Sequence, residues 1–420
     1  MYDKIIFIGD LLRYQNNSNR FADTGLIWEY YLLKKQIELA TNLEVDVITY
    51  KDSDKFDVKK FYDLCGYETT TDNWIKLVSG EYTEAAKEYF KSCFKNCIVI
   101  SQVAGAFKTL MDDLNIPYID IYVSAIKFCP DILLSFRSNI NEVTQILKKY
   151  VIPEEKFYIE ANLIKAYYYR RMIDLEIEPN SLLLCGQTDI DLALIKDKKI
   201  VEFLDYRDKI DELISQYSYV YYKPHPYASI ENVNEKYIRT LPNVKLINEN
   251  IYKILCSDNI KAVAALSSGT LIEAKYFGKI SHVISHEFVK YWNQYKPITP
   301  DEFILIDKIC LSPKFWSDVL SPLVSTQECL DLNIACYPNA LRRNFNTWWG
   351  YEFGLHKDIA DINLSIQNNI VNTNLAIQKV QTDLINKIEY QMKPISILKK
   401  LISLVVPIKR LKKKLRGDKC

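Results

Sequence analysis

Two apolar strands that end in anion-binding residues restrict most strongly how this chain folds. The first predicted strand, Tyr219–Tyr222, runs into Lys223-Pro-His-Pro226, and the second, Lys261–Leu266, runs into Ser267-Ser-Gly-Thr270 and a helix. Two prolines fix the backbone on either side of the histidine, while hydroxyls and free backbone N–H groups collect at the helix start. The pattern predicts two strand-end loops that hold a phosphate between them.

Strands and helices alternate along the rest of the chain, which favours an α/β fold with parallel, doubly wound sheets. The series is interrupted at Pro179-Asn180 and starts again at Ser181, so we predict two Rossmann-like halves in tandem. Ligands of such sheets bind outside the carboxyl ends of the strands. The other predicted strands are Lys4–Ile8, Val45–Thr49, Cys97–Ser101, Asn115–Ile121, Leu133–Arg137, Ser181–Cys185, Val244–Ile247 and His282–Ile284. The predicted helices are 25–33, 55–65, 82–95, 140–172, 205–216, 250–256 and 271–277.

A length of 420 residues exceeds what one hydrophobic core usually supports. We predict an N-terminal domain over 1–172, a second domain over 173–340, a helical return segment over 341–392 and a basic tail over 393–420. The ten cysteines form no CxxC pair, which indicates free thiols in a reducing cytosol rather than disulfides or a zinc site. No apolar signal segment follows Met1, so the sequence predicts a cytoplasmic protein.

The tail carries most of the positive charge. Residues 393–420 contain ten Lys or Arg and one Asp, a net charge of +9, whereas the whole chain has only +1. Aliphatic residues recur between the basic ones at helical spacing, although Pro407 interrupts a helix. We therefore predict that the tail lies on the surface of the inner membrane. A solubilising tail is the alternative; nucleic-acid binding is disfavoured, because the rest of the chain is acidic.

Neither a GxGxxG motif nor a GxxxxGK[ST] motif is present, which argues against a dinucleotide oxidoreductase and an NTPase. Two tandem Rossmann-like halves suit a GT-B glycosyltransferase. Four stretches together resemble the retaining β-Kdo transferases that use CMP-β-Kdo in capsule and O-antigen synthesis. In chain order they are Asp120–Asn139, Gly186–Asp191, Tyr222–Pro226 and Leu266–Lys279.

The resemblance implies a donor site in the second half of the chain. His225 would donate to the phosphate of CMP, so that departing CMP needs no metal and no other cofactor. Glu273 would accept both hydroxyls of the ribose, as a glutamate does in many GT-B enzymes. The alternatives are a packed histidine and a solvated helix glutamate. Further donor-side residues are Gln187, Lys223, Ser267, Ser268 and Thr270.

Retention of configuration calls for two displacements or a front-face route, and the resemblance implies two displacements through a covalent adduct on a carboxylate. Asp191 is the candidate nucleophile and Asp189 the second candidate, and either could instead cap the following helix. Asp120, at a predicted strand end, is the candidate general base, although the resemblance has a glutamate there; a structural aspartate is the alternative. Arg137 would bind the carboxylate of Kdo, or form a surface ion pair. Lys223 could bind the same carboxylate.

On the acceptor side, Gly9 and Asp10 follow the first strand and are expected to shape the cleft. The Trp348-Trp349 pair indicates a segment packed back across both domains. The expected activity is transfer of β-Kdo from CMP-β-Kdo to a lipid-linked saccharide. The alternatives are a sialyltransferase or polysialyltransferase, a CDP-glycerol-type polymerase, and a non-catalytic membrane-associated scaffold.

Overall fold

The computed structural model has two compact units, residues 1–351 and 352–420. It describes residues 2–16, 20–21, 25–102, 106–170, 175–188, 190–226, 228, 233–241, 243–285, 303–332, 334, 339–351, 366–388, 390–391, 394, 397–398 and 401.

Six strands of the described chain form the first sheet. Its strands are β1 (Lys4–Ile8), β4 (Glu44–Ile48), β5 (Cys97–Ser101), β6 (Tyr118–Val123), β7 (Leu134–Ser138) and β15 (Ile304–Ile306). They are arranged in the order β15-β7-β6-β5-β1-β4, and the four strands from β6 to β4 pair in parallel. The Rossmann-like arrangement predicted for the N-terminal half is confirmed.

The edge of this sheet departs from the predicted parallel order. β6 and β7 pair antiparallel, as do β7 and β15. Only residues 124–133 separate β6 from β7, which is too short for the helical crossover that a parallel connection requires.

Both faces of the first sheet are buried. Alternate residues of its strands point to opposite sides, so one strand contributes to two cores. In β1, Ile6 and Ile8 belong to one core, while Ile5 and Phe7 belong to the other. The first core includes residues of α2 (Val58–Leu64), α3 (Thr71–Val78), α4 (Glu84–Cys93) and α5 (Ala106–Asp113). The second includes residues of α1 (Leu26–Thr41), α6 (Asn141–Leu147), α12 (Pro313–Leu320) and α13 (Ala340–Phe345).

The second sheet has five parallel strands among the described residues. They are β8 (Ser181–Cys185), β11 (Tyr219–Lys223), β12 (Val244–Leu246), β13 (Ile260–Ala265) and β14 (Ile280–Val283), in the order β12-β11-β8-β13-β14. The helices associated with this half are α7 (Glu155–Arg170), α8 (Arg207–Ile214), α9 (Val233–Ile238), α10 (Ile251–Cys256) and α11 (Gly269–Glu273). Two small antiparallel pairs complete the strands, β2 (Tyr14–Gln15) with β3 (Arg20–Phe21) and β9 (Ile195–Lys196) with β10 (Lys199–Ile200).

The chain returns to the first sheet earlier than predicted. β15 pairs with β7, and α12 packs against α1, so both belong with the N-terminal half. The predicted second domain, 173–340, therefore contains residues that the structure joins to the first domain. In the other compact unit, residues 366–388 form a helix, which lies within the helical return segment predicted over 341–392.

Across the described residues, no helix is both long and apolar enough to cross a membrane. Most of the predicted amphipathic tail, 393–420, lies outside the described residues.

Candidate active site

Three neighbouring strands of the second sheet bring the predicted donor-side loops together. β8 lies between β11 and β13, and all three are parallel, so their carboxyl ends meet at one edge. The two loops predicted to hold a phosphate are thus two strand spacings apart, about 10 Å. The loop that begins at Gly186, after β8, lies between them.

Gly186 lets the loops after β8 and β11 come close together. Its N–H donates to the carbonyl of Lys223 over 2.8 Å. A Cβ atom at this position would lie 2.6 Å from the hydroxyl of Tyr222 and 2.8 Å from the backbone nitrogen of His225. A residue with a side chain would therefore displace the histidine loop.

His225 lies half-buried just past the end of β11. Burial lowers its pKa below the usual value, and Lys127 and Lys223 also lower it, whereas Asp191 raises it. The imidazole is therefore mainly neutral at pH 7 and retains one N–H to donate. These interactions indicate that His225 and Lys223, at the end of β11, lie near Asp191 and Lys127, which come from two other loops.

The loop after β13 is held mainly by its own hydrogen bonds. Ser268 caps α11 by accepting from the N–H of Thr270, and Thr270 in turn hydrogen-bonds the sulfur of Cys185. The side-chain amide of Gln187 donates to the carbonyl of Ser267, which ties this loop to the one after β8. Four predicted donor-side residues thus lie together, and each also has a structural contact.

Glu273 is buried, with only 3% of its surface exposed, so the solvated alternative is wrong. Its Oε1 atom accepts from the backbone N–H of Lys127 over 2.7 Å and from the hydroxyl of Tyr252 over 3.0 Å. Burial raises its pKa to about 7, against the effect of these two donors. Glu273 therefore connects the second sheet to the loop that follows β6, and its ribose-binding role stays a prediction.

Lys127 is a residue of this site that the sequence analysis missed. It follows β6, and its Nζ atom lies 4.3 Å from the centre of the Trp349 ring. Burial lowers its pKa, whereas Glu273 and Asp191 raise it. Its place four residues after a strand end was the available signal.

The segment over 339–351 holds the Lys127 loop in place. Arg342 is fully buried and donates to the carbonyls of Lys127 and Cys129. At the other end of the segment, the carbonyl of Gly350 accepts from the side chain of Asn250, in the second half of the chain. The tryptophan pair therefore lies in a segment that contacts both halves, as the sequence predicts.

Asp191 lies at the end of the loop after β8 and caps a short helix, Leu192–Leu194. Its Oδ1 atom accepts from the N–H of Ala193 over 3.0 Å. The same carboxylate raises the pKa values of His225 and Lys127, so it also belongs to the site. The capping alternative is present, and the nucleophilic role stays a prediction. Asp189 lies outside the described residues.

Asp120 and Arg137 form a buried ion pair inside the first sheet. Asp120 is the third residue of β6 rather than a strand end, and its Oδ2 atom accepts from Nε and Nη2 of Arg137 over 2.8 and 2.6 Å. Their exposures are 0% and 1%, so the predicted surface ion pair is wrong. A general base must contact the acceptor, and a sugar-binding arginine must contact the donor. The structure favours structural roles for both residues.

Asp10 follows β1 and is also buried. Its Oδ2 atom accepts from Nε1 of Trp74 over 3.2 Å, and burial raises its pKa to about 7, although Arg13 lowers it. Nη2 of Arg13 donates to the carbonyl of Ile190 over 3.0 Å. The predicted acceptor side therefore touches the loop that carries Asp191. A Cβ atom at Gly9 would make only ordinary contacts with Leu26, at 3.5 Å or more.

Within the described ranges, no group of three or more His, Cys, Asp or Glu residues is arranged to hold a metal ion. The site instead combines cations, a neutral imidazole, backbone donors and two carboxylates. Such a set can bind an anionic leaving group by hydrogen bonds and can supply a nucleophile.

A model of the alpha-2,8-polysialyltransferase family matches residues 115–287. The match spans less than half of the chain, but it includes every predicted site residue except Gly9 and Asp10. The predicted resemblance to transferases of acidic sugars is confirmed, and the chain is similar to glycosyltransferases over this span. No curated protein sequence matches the chain.

Three solved structures are similar to this chain at low identity. The KpsC beta Kdo 2,7 transferase of Thermosulfurimonas dismutans has 13% identity and a TM-score of 0.35, with 75% of this chain and 90% of that chain covered. The KpsC beta Kdo 2,4 transferase of the same organism has 12% identity and a TM-score of 0.31, covering 65% and 78%. A UDP-GlcNAc 2-epimerase of Methanocaldococcus jannaschii has 10% identity and a TM-score of 0.26, covering 78% and 96%.

Proposed function

We propose that this chain is a retaining glycosyltransferase that transfers β-Kdo from CMP-β-Kdo to a lipid-linked saccharide of the bacterial surface. The observation that carries the proposal is that His225, Asp191, Lys127 and Glu273 lie close together where the carboxyl ends of the second sheet's strands meet. The choice of Kdo as the donor sugar rests on the four sequence stretches that resemble the β-Kdo transferases. The proposal needs no metal or other cofactor.

In the donor site, His225 and Lys223 bind the phosphate of CMP, with help from the N–H groups at the start of α11. Glu273 faces the ribose, because it lies within α11 one turn from these N–H groups. Departure of CMP leaves negative charge on its phosphate. A neutral imidazole that donates an N–H, beside a lysine, stabilises that charge as it develops.

The transfer proceeds in two displacements. A carboxylate oxygen of Asp191 bonds to the anomeric carbon while the bond from that carbon to the phosphate breaks, and CMP leaves with the electron pair. The acceptor hydroxyl then attacks the same carbon, gives its proton to a base, and releases the Asp191 carboxylate. Two inversions retain the configuration of the sugar.

Intact-protein mass spectrometry tests this mechanism. Full-length protein is mixed with CMP-β-Kdo made in situ, with CMP-sialate as the comparison donor. We expect the mass of one Kdo to be added to the wild type. Absence of an adduct and of CMP release with both donors would overturn the proposal.

Asp191→Asn separates the two roles of this residue. Asparagine caps a helix about as well as aspartate, so the contact with Ala193 persists, whereas an amide cannot act as the nucleophile. We expect the adduct to disappear and the thermal stability to stay close to that of the wild type. An adduct that persists in Asp191→Asn would move the nucleophile to Asp189.

A sialyltransferase is the second candidate, since the matching family model is that of polysialyltransferases. Turnover of CMP-sialate without turnover of CMP-β-Kdo would select it. A non-catalytic scaffold predicts that CMP leaves the melting temperature unchanged, whereas a transferase is stabilised by CMP bound to its native state. In either transferase, the acceptor is lipid-linked, and the basic tail, 393–420, would hold the protein on the membrane surface.

A further inference from the structure

The donor that we propose carries two anionic groups, a phosphate and a sugar carboxylate. The last residue of β11, Lys223, and the loop after it, with His225, are available for the phosphate. The sequence analysis gave the carboxylate to Arg137 or Lys223, but the guanidinium of Arg137 is buried against Asp120. A second cation is therefore needed that reaches the site from another direction.

Lys127 meets this requirement. It comes from the first half of the chain, whereas Lys223 and His225 come from the second, and it is partly buried near Asp191 and Glu273. Among the described residues, its Nζ atom makes no ion pair within 4.0 Å. A partly desolvated ammonium gains from an anion placed beside it.

The backbone and the ring beneath it fix the position of this lysine. Its N–H is bonded to Glu273, its carbonyl accepts from Arg342, and its ammonium lies over Trp349. The side chain is therefore pre-organised, so less conformational entropy is lost when a ligand binds.

We propose that Lys127 binds the carboxylate of the donor sugar and makes the site selective for CMP-linked sugar acids. This inference rests on the proposed function, and it adds the residue that distinguishes a sugar acid from a neutral sugar. The nucleotide itself is bound by other residues. Loss of the Lys127 charge should therefore weaken binding of the complete donor but not of CMP.

The test compares the full-length wild type with Lys127→Met and Lys127→Arg. Methionine keeps the backbone bond to Glu273 and the contact with Trp349 but removes the charge, and arginine keeps the charge. The readouts are the Kd of CMP by calorimetry, and KM and kcat for CMP release from CMP-β-Kdo made in situ and from CMP-sialate. The C1 methyl ester of CMP-sialate, which lacks the carboxylate charge, serves as a matched competitor of donor turnover.

For Lys127→Met we expect KM of the active donor to rise roughly 10- to 100-fold, as for a lost charge-assisted hydrogen bond, and the Kd of CMP to change less than about threefold. Lys127→Arg should recover part of the loss. The wild type should bind the acid more tightly than the ester, and Lys127→Met should bind both alike.

Equal weakening of CMP and of the complete donor in Lys127→Met would overturn the inference, as would an unchanged preference for the acid over the ester. If Lys127→Met does not fold, the test uses Lys127→Arg and the comparison of acid and ester in the wild type. A wild type that binds the acid and the ester equally would exclude carboxylate binding by Lys127. Failure of the wild type to release CMP from either donor would overturn the proposed function itself.

Discussion

At the scale of single residues, close packing and burial determine how the site is built. Gly186 has space for no side chain, because a Cβ would lie 2.8 Å from the backbone nitrogen of His225 and 3.1 Å from the Cα atom of Pro224. Glu273 and Asp10 are carboxyls whose pKa values burial raises to about 7.

Gly186→Ala should displace the loop that carries His225. We expect CMP affinity to fall at least about tenfold and the free energy of unfolding to fall by about 1–3 kcal/mol, as in other overpacked sites. Calorimetry with CMP and urea unfolding measure the two effects. Gly9→Ala is the matched control, because a Cβ there lies 3.5 Å or more from its neighbours. CMP affinity equal to that of the control would show that the loop tolerates the methyl group.

Glu273→Gln should change how stability depends on pH. The pKa of Glu273 is about 7 when folded and about 4.5 when unfolded, so the unfolded state releases a proton first as the pH rises. The contribution of Glu273 to the stability of the wild type is fully present below pH 4.5 and is lost as the pH rises from 4.5 to about 7. Glutamine keeps the Oε1 acceptor and does not titrate.

We therefore expect the free energy of unfolding of Glu273→Gln, measured with urea, to rise relative to that of the wild type by at most about 3 kcal/mol between pH 4.5 and 7.5. The contribution of Asp10 to stability falls over the same pH range, but Asp10 is present in both proteins, so its contribution cancels in the difference. Parallel pH profiles for the two proteins would contradict the buried, protonated state of Glu273.

Sequence reasoning placed the donor loops but not their contacts. The strand-end positions of His225 and Ser267 followed from the apolar runs before them, and these runs are local in the sequence. Lys127 was missed because its partners Glu273 and Trp349 lie more than 140 residues away. Asp120 was placed at a strand end because β6 continues two residues beyond the predicted strand.

At the scale of elements, α13 depends on a distant residue for its N-terminus. Its N-cap residue, Asn339, makes no side-chain cap, and Asp131 instead accepts from the N–H groups of Leu341 and Arg342 over 3.0 and 2.9 Å. These bonds hold the segment that supports the Lys127 loop.

Asp131→Ala should lower the free energy of unfolding by about 1–2 kcal/mol, as for a lost helix cap. Asp131→Asn keeps one acceptor oxygen and should lose less. Urea unfolding of the three proteins at one pH measures the series. An alanine variant within about 0.5 kcal/mol of the wild type would show that water replaces the carboxylate.

Elements with strong apolar runs were predicted within a few residues, as β1, β5 and β8 illustrate. The elements that were missed include α3, α5, α9 and β15. β15 has only three residues, and its pairing with β7 arises from tertiary structure rather than from a local pattern. The antiparallel edge likewise depends on the short connection between β6 and β7.

At the scale of the whole molecule, the basic tail and the folded body have separate roles in our proposal. A protein that ends at residue 392 should keep its CMP affinity within about twofold and lose binding to vesicles that contain anionic lipid. Co-sedimentation at two salt concentrations measures this, since an electrostatic contribution weakens as salt rises. A truncated protein that binds the vesicles as well as the full chain would contradict the role of the tail.

Two tandem sheets could be predicted because their strands and helices alternate with clear period and length. The domain boundary could not, because β15 belongs to the first sheet through its pairing with β7, a contact between residues that lie far apart in the sequence. Periodicity indicates which elements form, whereas the edge that accepts β15 depends on packing across some 170 residues of chain.

The return of β15 also sets an order of assembly on the ribosome. Synthesis runs from the N-terminus, so all five strands of the second sheet, ending at Val283, are made before residue 304. Until then β7 is an open edge, with backbone N–H and C=O groups ready to pair with another strand. The domain whose synthesis starts first is thus completed last, and until then its sheet has an edge that could pair with a wrong strand.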